Sequence, residues 1–311
     1  MTIKSALKQG LATTVKTKRY IFFAWFTSVF FVLGPSFAVL TEIEDSLGSS
    51  LTAQNMNSGF DGGWYQNFSN DASDLSATFS PSVTGMGAVF DSFDDFVRNG
   101  IGEAPPVLLF IGLLYLFFWS FWASGFIGKI PEENYNLSFL QAAATYFSRF
   151  FVITSTGLIF YGAIFAFLSP FLTDVVNNLT SETLDERFHF FLTVLQYLIL
   201  WSLIWAVNIV FDYCKILTVL QNRKNVFAAL VSAVGLVFAN FKKTAGLYFT
   251  VGGVWLLAMI VYWIFAPGAK QETVTALIIA FGLGQLYIIA RIWVRSLFYA
   301  SQTALCDAMT G

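Results

Sequence analysis

Residues 211–243 read FDYCKILTVLQNRKNVFAALVSAVGLVFANFKK, and this stretch decides the fold. An apolar run ends at Asp212, and Lys215 follows three residues later. The polar turn QNRKN comes next, then a second apolar segment and the pair Lys242–Lys243. Uncharged, mostly apolar runs flank the stretch, at 188–210 before it and 244–266 after it. About 20 mostly apolar residues are what a helix needs to cross a bilayer. The stretch therefore reads as one edge of a membrane bundle: a span ends, the chain turns, an amphipathic helix follows, and a basic anchor opens the next span.

The composition agrees. Of 311 residues, 56% are hydrophobic, 18% aromatic and only 12% charged, where a soluble domain carries about 25% charged residues. Working outward from 211–243 yields six candidate spans, at 20–40, 106–127, 147–172, 188–210, 244–266 and 274–297. None has a charge at its centre. Ser169–Pro170 interrupts the third near its end, and Arg291 and Arg295 lie in the last turns of the sixth. The expected fold is an all-α integral membrane protein, a single polytopic domain of about six transmembrane helices with short interfacial amphipathic helices.

Lys and Arg set the direction. With the N-terminus in the cytoplasm, fourteen of the 17 basic residues fall inside, and fifteen of the 19 acidic residues fall outside. Both termini are thus expected in the cytoplasm, and the expected location is a bacterial inner membrane. A net charge of −2 gives no reason to expect nucleic acid. Two cysteines near cytoplasmic helix ends, Cys214 and Cys306, read as free thiols, and one histidine leaves no material for a His/Cys zinc cluster.

The segment 1–19 reads as a basic interfacial helix or, equally, as a frayed basic tail that follows the positive-inside rule. Ile3, Leu7, Leu11 and Val15 recur every four residues, with Lys4, Lys8 and Lys16 on adjoining faces turned to anionic headgroups. Ser36-x-Ala38 after the first apolar run also fits a signal-peptidase site, the lesser reading. Two further interfacial helices are expected, at 137–150 and 225–241, each directly before a span. The loop 41–105 carries ten acidic residues and one basic residue, yet Phe60, Trp64, Tyr65, Phe68, Phe79, Phe90, Phe93 and Phe96 punctuate it. Such aromatics are scarce in disordered segments, so short helices are expected there, including one near 82–100. DSFDDF lacks the alternating oxygen ligands of a calcium loop. Asn67-Phe-Ser69 and Asn178-Leu-Thr180 match the glycosylation sequon, a pattern with a high chance rate.

Groups for chemistry are scarce. His189 lies at an outer span end, with neither a nucleophile elbow nor a phosphate-cradling loop in the chain. The glycines of VGGVW and FGLGQL read as sites of close helix packing. Gln196, Asn208 and Gln285, within spans, suit interhelical hydrogen bonds. The candidate ion-pair or lipid-headgroup residues are Asp212, Lys215, Arg223, Arg291 and Arg295. Asp212 and Lys215 are i, i+3 on a helix and can pair. Arg291 and Arg295 are i, i+4 and share a face, so Asp212 could instead bridge to Arg291.

The block DYCKILTVLQNRKNVFAAL resembles one in uncharacterised bacterial six-span membrane proteins. These are similar to the membrane domain that precedes some glycerophosphodiester phosphodiesterases. Asp212, Tyr213, Lys215, Arg223, Ala228 and Ala229 carry the likeness, and RIWVRSLFYASQTAL is similar as well. Gln221–Asn222 departs from it, where an acidic residue is usual. The resemblance implies a six-span membrane fold and no catalysis. The expected function is non-enzymatic: a scaffold, assembly or accessory subunit of an envelope complex. It needs no cofactor and meets anionic inner-leaflet lipids, with a membrane-protein partner at 41–105 or at the lipid-facing helices. The alternative is a transporter or lipid-handling protein with an inner-leaflet basic headgroup site.

Overall fold

The computed structural model describes residues 1–48, 52, 61–73, 75–79, 106–131, 136–181, 185–266 and 273–310, and these contain helices and no strand. In order they are α1 (Ile3–Lys16), α2 (Lys18–Leu47), α3 (Gly62–Asp71), α4 (Pro106–Gly128), α5 (Phe139–Thr180), α6 (Glu186–Leu220), α7 (Val226–Ala239), α8 (Phe241–Phe265) and α9 (Val274–Thr310). Among the described residues α2, α4, α5, α6, α8 and α9 are long and apolar enough to cross a membrane. Their number and character mark a multi-pass membrane protein. The helix expected near 82–100 lies outside the described residues.

Local chemistry sets the helix ends. The Thr2 hydroxyl accepts from Ser5 N–H while the Ser5 hydroxyl accepts from Thr2 N–H. Ser138 and Gln141 make the same reciprocal cap on α5, and Asp61, Asp185 and Asn225 cap α3, α6 and α7. Each cap satisfies N–H groups that a helix leaves unpaired at its start. QNRKN breaks the chain between α6 and α7 as its sequence predicts: Asn222 takes a positive φ of 43°, and Arg149 donates to its side chain at 2.9 Å.

Two expected interfacial helices change character. The segment 137–150 is no separate element. From its Ser138 cap, α5 runs unbroken through it into the third span. That helix also passes Ser169–Pro170. Pro170 has no N–H to give and would leave a carbonyl unpaired, and the backbone widens into a π turn at Ile164–Leu168 immediately before it. In α1 the buried face is Ala6, Gly10 and Thr14, with Ile3 and Leu7 beside it, whereas Val15 is 65% exposed. The reason is geometric: steps of four residues drift about 40° around a helix, so the row from Ile3 to Val15 leaves the contact face.

That contact face packs on α9. A Cβ at Gly10 would lie 2.9 Å from the Ser301 backbone nitrogen and 3.0 Å from its Cα, so α1 seats only because Gly10 has no side chain. Because α1 meets the last turns of α9, both termini lie at one end of the bundle, the base. The core is concentrated there. Phe211 to Val219 of α6 are all buried, as is α9 from Ser296 to Cys306. A helix buried all round is a central one, and the ends of α4, α5, α7 and α8 pack about this pair. Trp122, fully buried, ties α4 to α2 by donating its indole N–H to the Tyr20 carbonyl at 2.9 Å.

Away from the base the helices separate. Only 6–44% of each apolar window is buried within the chain, and Phe30, Phe110, Phe167, Phe190 and Ile278 stand on the surface. Such surface would be an aggregation patch in water, while in a bilayer acyl chains cover it. At the far end α3 folds onto the top of α2. Trp64 donates to Ser46 Oγ at 3.2 Å, Ser73 N–H donates to Glu42 at 3.1 Å, and Phe68 is 3% exposed against Trp64 and Phe79.

Two outcomes follow for thermal unfolding in detergent. Gly10→Ala is expected to cost about 1–3 kcal/mol by overpacking, whereas Gly34→Ala, where a Cβ meets nothing within 4 Å, is expected to cost nothing. Equal effects would contradict the close seating of α1. Gln302 is fully buried, and neither its amide nitrogen nor its oxygen has a partner among the described residues. Gln302→Met is expected to raise stability by about 1–3 kcal/mol, the desolvation penalty it removes; a loss of stability would contradict this.

Candidate functional site: an aromatic cleft over a buried ion pair

Asp212 and Arg295 sit where α6 and α9 enter the base. Arg295 grips the carboxylate as a fork, Nη2 to Oδ1 at 2.7 Å and Nη1 to Oδ2 at 3.1 Å. Its Nη2 also donates to the Tyr299 hydroxyl at 3.0 Å, and its guanidinium lies 4.5 Å from the Tyr299 ring centroid. The Asp212 side chain is 2% exposed and that of Arg295 31%. Tyr161 of α5 and Tyr248 of α8 stand within electrostatic reach of the pair. Bidentate geometry with a further acceptor is what makes a buried pair tolerable, since each ion loses its water.

The expected site residues divide accordingly. Asp212 pairs with Arg295, and neither with Lys215 nor with Arg291. Spacing alone could not choose, because both arginines face the same way and the choice depends on how far α9 slides along α6. Lys215 is buried and makes no ion pair with Asp212. Arg223 is elsewhere: it holds the α6–α7 turn by donating to Gln221 Oε1 at 2.6 Å, to the Ala228 carbonyl at 3.2 Å and to the Ser232 hydroxyl. Arg291, one turn from Arg295, is exposed and has no hydrogen bond or ion pair among the described residues.

Directly beyond the pair opens a cavity of about 860 Å³, lined by α2, α4, α6, α8 and α9. Its walls are stripes at i, i+4 and i+7: Trp201, Trp205 and Asn208 on α6; Tyr248, Gly252 and Trp255 on α8; Ile288, Ile292, Arg295 and Arg291 on α9. Tyr115 and Trp119 of α4 and Ser28 of α2 complete it. Trp205 packs edge-on to Phe249 with ring centroids 5.1 Å apart. Wall residues Tyr115, Phe249 and Leu256 are 45%, 52% and 46% exposed, so the cavity is a cleft continuous with the outer surface of the helices. Its volume lies within the roughly 300–1,000 Å³ of small-molecule sites.

The charged groups of the cleft stand at its base-facing end. Both oxygens of Asp212 are occupied by Arg295. The charged groups left over are donors, the Arg291 guanidinium and the remaining N–H groups of Arg295, while the indole N–H of Trp119 is buried without a partner and does not open onto the cleft. The Asn208 amide likewise makes no hydrogen bond to a described residue. Gln196 and Gln285 instead serve as interhelical links, to Thr173 at 2.8 Å and from Trp25 at 2.9 Å. His189 lies at the opposite end beside the Thr180 hydroxyl at 3.1 Å.

The aromatic walls escaped the sequence reading, because a stripe of Trp at helical spacing is equally the mark of ordinary packing. VGGVW was read as close packing, and the structure corrects this. A Cβ at Gly252 or Gly253 meets nothing within 4 Å, and both glycines border the cleft. Here the missing side chains enlarge a cavity.

No family model matches the chain, and neither a curated protein nor a solved structure matches it. The likeness of the Asp212–Ala229 block therefore rests on its own residues.

Asp212→Asn should strand the Arg295 charge and cost about 3–5 kcal/mol in thermal unfolding, while Asp212→Leu with Arg295→Met should recover most of that loss. A double variant as unstable as the single one would contradict the ion pair as the cause.

Proposed function

We propose that this protein is a non-enzymatic, multi-pass protein of the bacterial inner membrane that holds an anionic amphiphile, a lipid or lipid-like molecule, in the cleft. The cleft carries the reading. It joins an apolar aromatic body, open to the lipid-facing surface, to a cationic end with unpaired donors. An amphiphile has the matching halves, and lateral opening lets it exchange with the bilayer without passing through water. Charge distribution along the sequence supports placing the arginine end at the cytoplasmic leaflet. The apolar walls favour a lipid-handling role over passage of a hydrated solute, which would need a polar path.

Two features support a binding role without chemistry. The one carboxylate at the site, Asp212, is engaged on both oxygens and is not placed to act as a base, and His189 is at the other end of the bundle. The scaffold reading places its partner at the aromatics of 41–105, of which Phe60, Phe90, Phe93 and Phe96 lie outside the described residues, or at the lipid-facing helices. The described part of that loop turns Trp64, Phe68 and Phe79 onto one another instead.

A Cβ at Gly252 meets nothing within 4 Å, so Gly252→Leu adds bulk where the cleft is open. Protein purified from native membranes in mild detergent is expected to carry a bound amphiphile, detected by lipid mass spectrometry. The variant is expected to carry several-fold less at unchanged thermal stability. Equal lipid in both proteins would defeat the proposal.

A further inference from the structure

We infer that the cleft selects a headgroup bearing one negative charge and few or no hydrogen-bond donors. This rests on the amphiphile reading above and adds a charge rule to it. Arg291, Arg295 and the tyrosine hydroxyls of Tyr115 and Tyr248 are the titratable groups on the walls, and Asp212 stands behind Arg295. Asp212 cancels Arg295 through the bidentate pair. One cation, Arg291, is left without a counter-ion among the described residues. The site therefore presents a net single positive charge in a setting of aromatic and aliphatic groups, where the effective dielectric is low and an uncompensated charge is costly.

Three headgroup classes are separated by this count. A zwitterion brings its own cation, which finds only the aromatic faces of the walls and no free carboxylate, so the net charge of the site stays at plus one. A dianion satisfies Arg291 and then carries an excess charge toward Asp212, whose negative charge lies just behind the Arg295 fork. A monoanion closes the account of charge at zero. Hydrogen bonding points the same way. Arg291 and the remaining N–H groups of Arg295 donate, both Asp212 oxygens are already taken, and the acceptors left on the walls, the Asn208 amide and the Tyr115 and Tyr248 hydroxyls, are neutral. An acceptor-rich sulfate, carboxylate or phosphodiester fits these donors, and a headgroup with several donors of its own does not.

Single-chain amphiphiles of equal chain length bearing a sulfate, a phosphocholine or a phosphomonoester headgroup provide the test. Binding is read by native mass spectrometry from a neutral detergent. The pH is set well above the second phosphate pKa of about 6, so that the phosphomonoester is a dianion. The sulfate is expected to bind at least about tenfold more tightly than the other two, the factor given by about 1.4 kcal/mol of differential affinity. Arg291→Gln should bring the sulfate down to the level of phosphocholine. Arg291 is exposed and unpaired, so this variant should keep the wild-type unfolding temperature. Gly252→Leu should weaken all three. Equal binding of the three headgroups, or tightest binding of the phosphomonoester, with loss of all in Gly252→Leu, overturns the charge rule and leaves the amphiphile cleft standing. No binding of any probe, or binding indifferent to Gly252→Leu, overturns the cleft reading and the charge rule with it.

Discussion

The Asp212–Arg295 pair joins α6 to α9 through residues 83 apart in sequence, at the point where the bundle changes from a packed core to more loosely packed spans. Its geometry leaves little latitude. A fork of two hydrogen bonds, with Tyr299 taking a third, fixes both the rotation of α9 and its height along α6. Below the pair, α6 and α9 are buried on every side and the other helices collect around them. At 37 residues α9 is about 55 Å long, well beyond the roughly 30 Å hydrocarbon core. The base can therefore stand outside the bilayer while the spans remain within it. The seat of α1 on α9, made at Gly10 and Ser301, closes the base from the terminal side.

Above the pair the cleft opens between α6 and α9 on one side and α2, α4 and α8 on the other, and α9 meets α2 and α8 again farther from the base, at Trp25–Gln285 and Tyr262–Tyr287. Trp205 reaches across to Phe249, Gly252 and Gly253 add no bulk, and Arg291 lacks the carboxylate that Arg295 has already taken. Selectivity and stability are thus coupled through one aspartate: Asp212 secures the α6–α9 contact and also removes one of the two positive charges that the cleft would otherwise show.

Much of the architecture was legible in the sequence because hydropathy acts over 20-residue lengths and is insensitive to detail. All six spans appear, and the QNRKN turn and the helix after it fall where their polar and periodic residues indicate. The errors concern relations between helices. Residues 137–150 carry a sound N-cap and an amphipathic pattern, but nothing in them states whether the helix stops at the membrane or continues through it. In α1 the row of large residues drew attention, while the small residues made the contact. Arg291 and Arg295 are equivalent by spacing, and the register of α9 against α6 decides which is neutralised. The glycines of VGGVW are compatible with a close contact or with a void, and only the neighbouring helix positions distinguish the two.

An experimental structure of the protein in nanodiscs of native lipid tests the central claim most directly. The account predicts elongated density between Trp205 and Trp255 that ends in a compact headgroup at Arg291, with Asp212 and Arg295 still paired beneath it. A cleft closed by its own side chains, or density confined to ordinary annular lipid with Arg291 turned away, would contradict it.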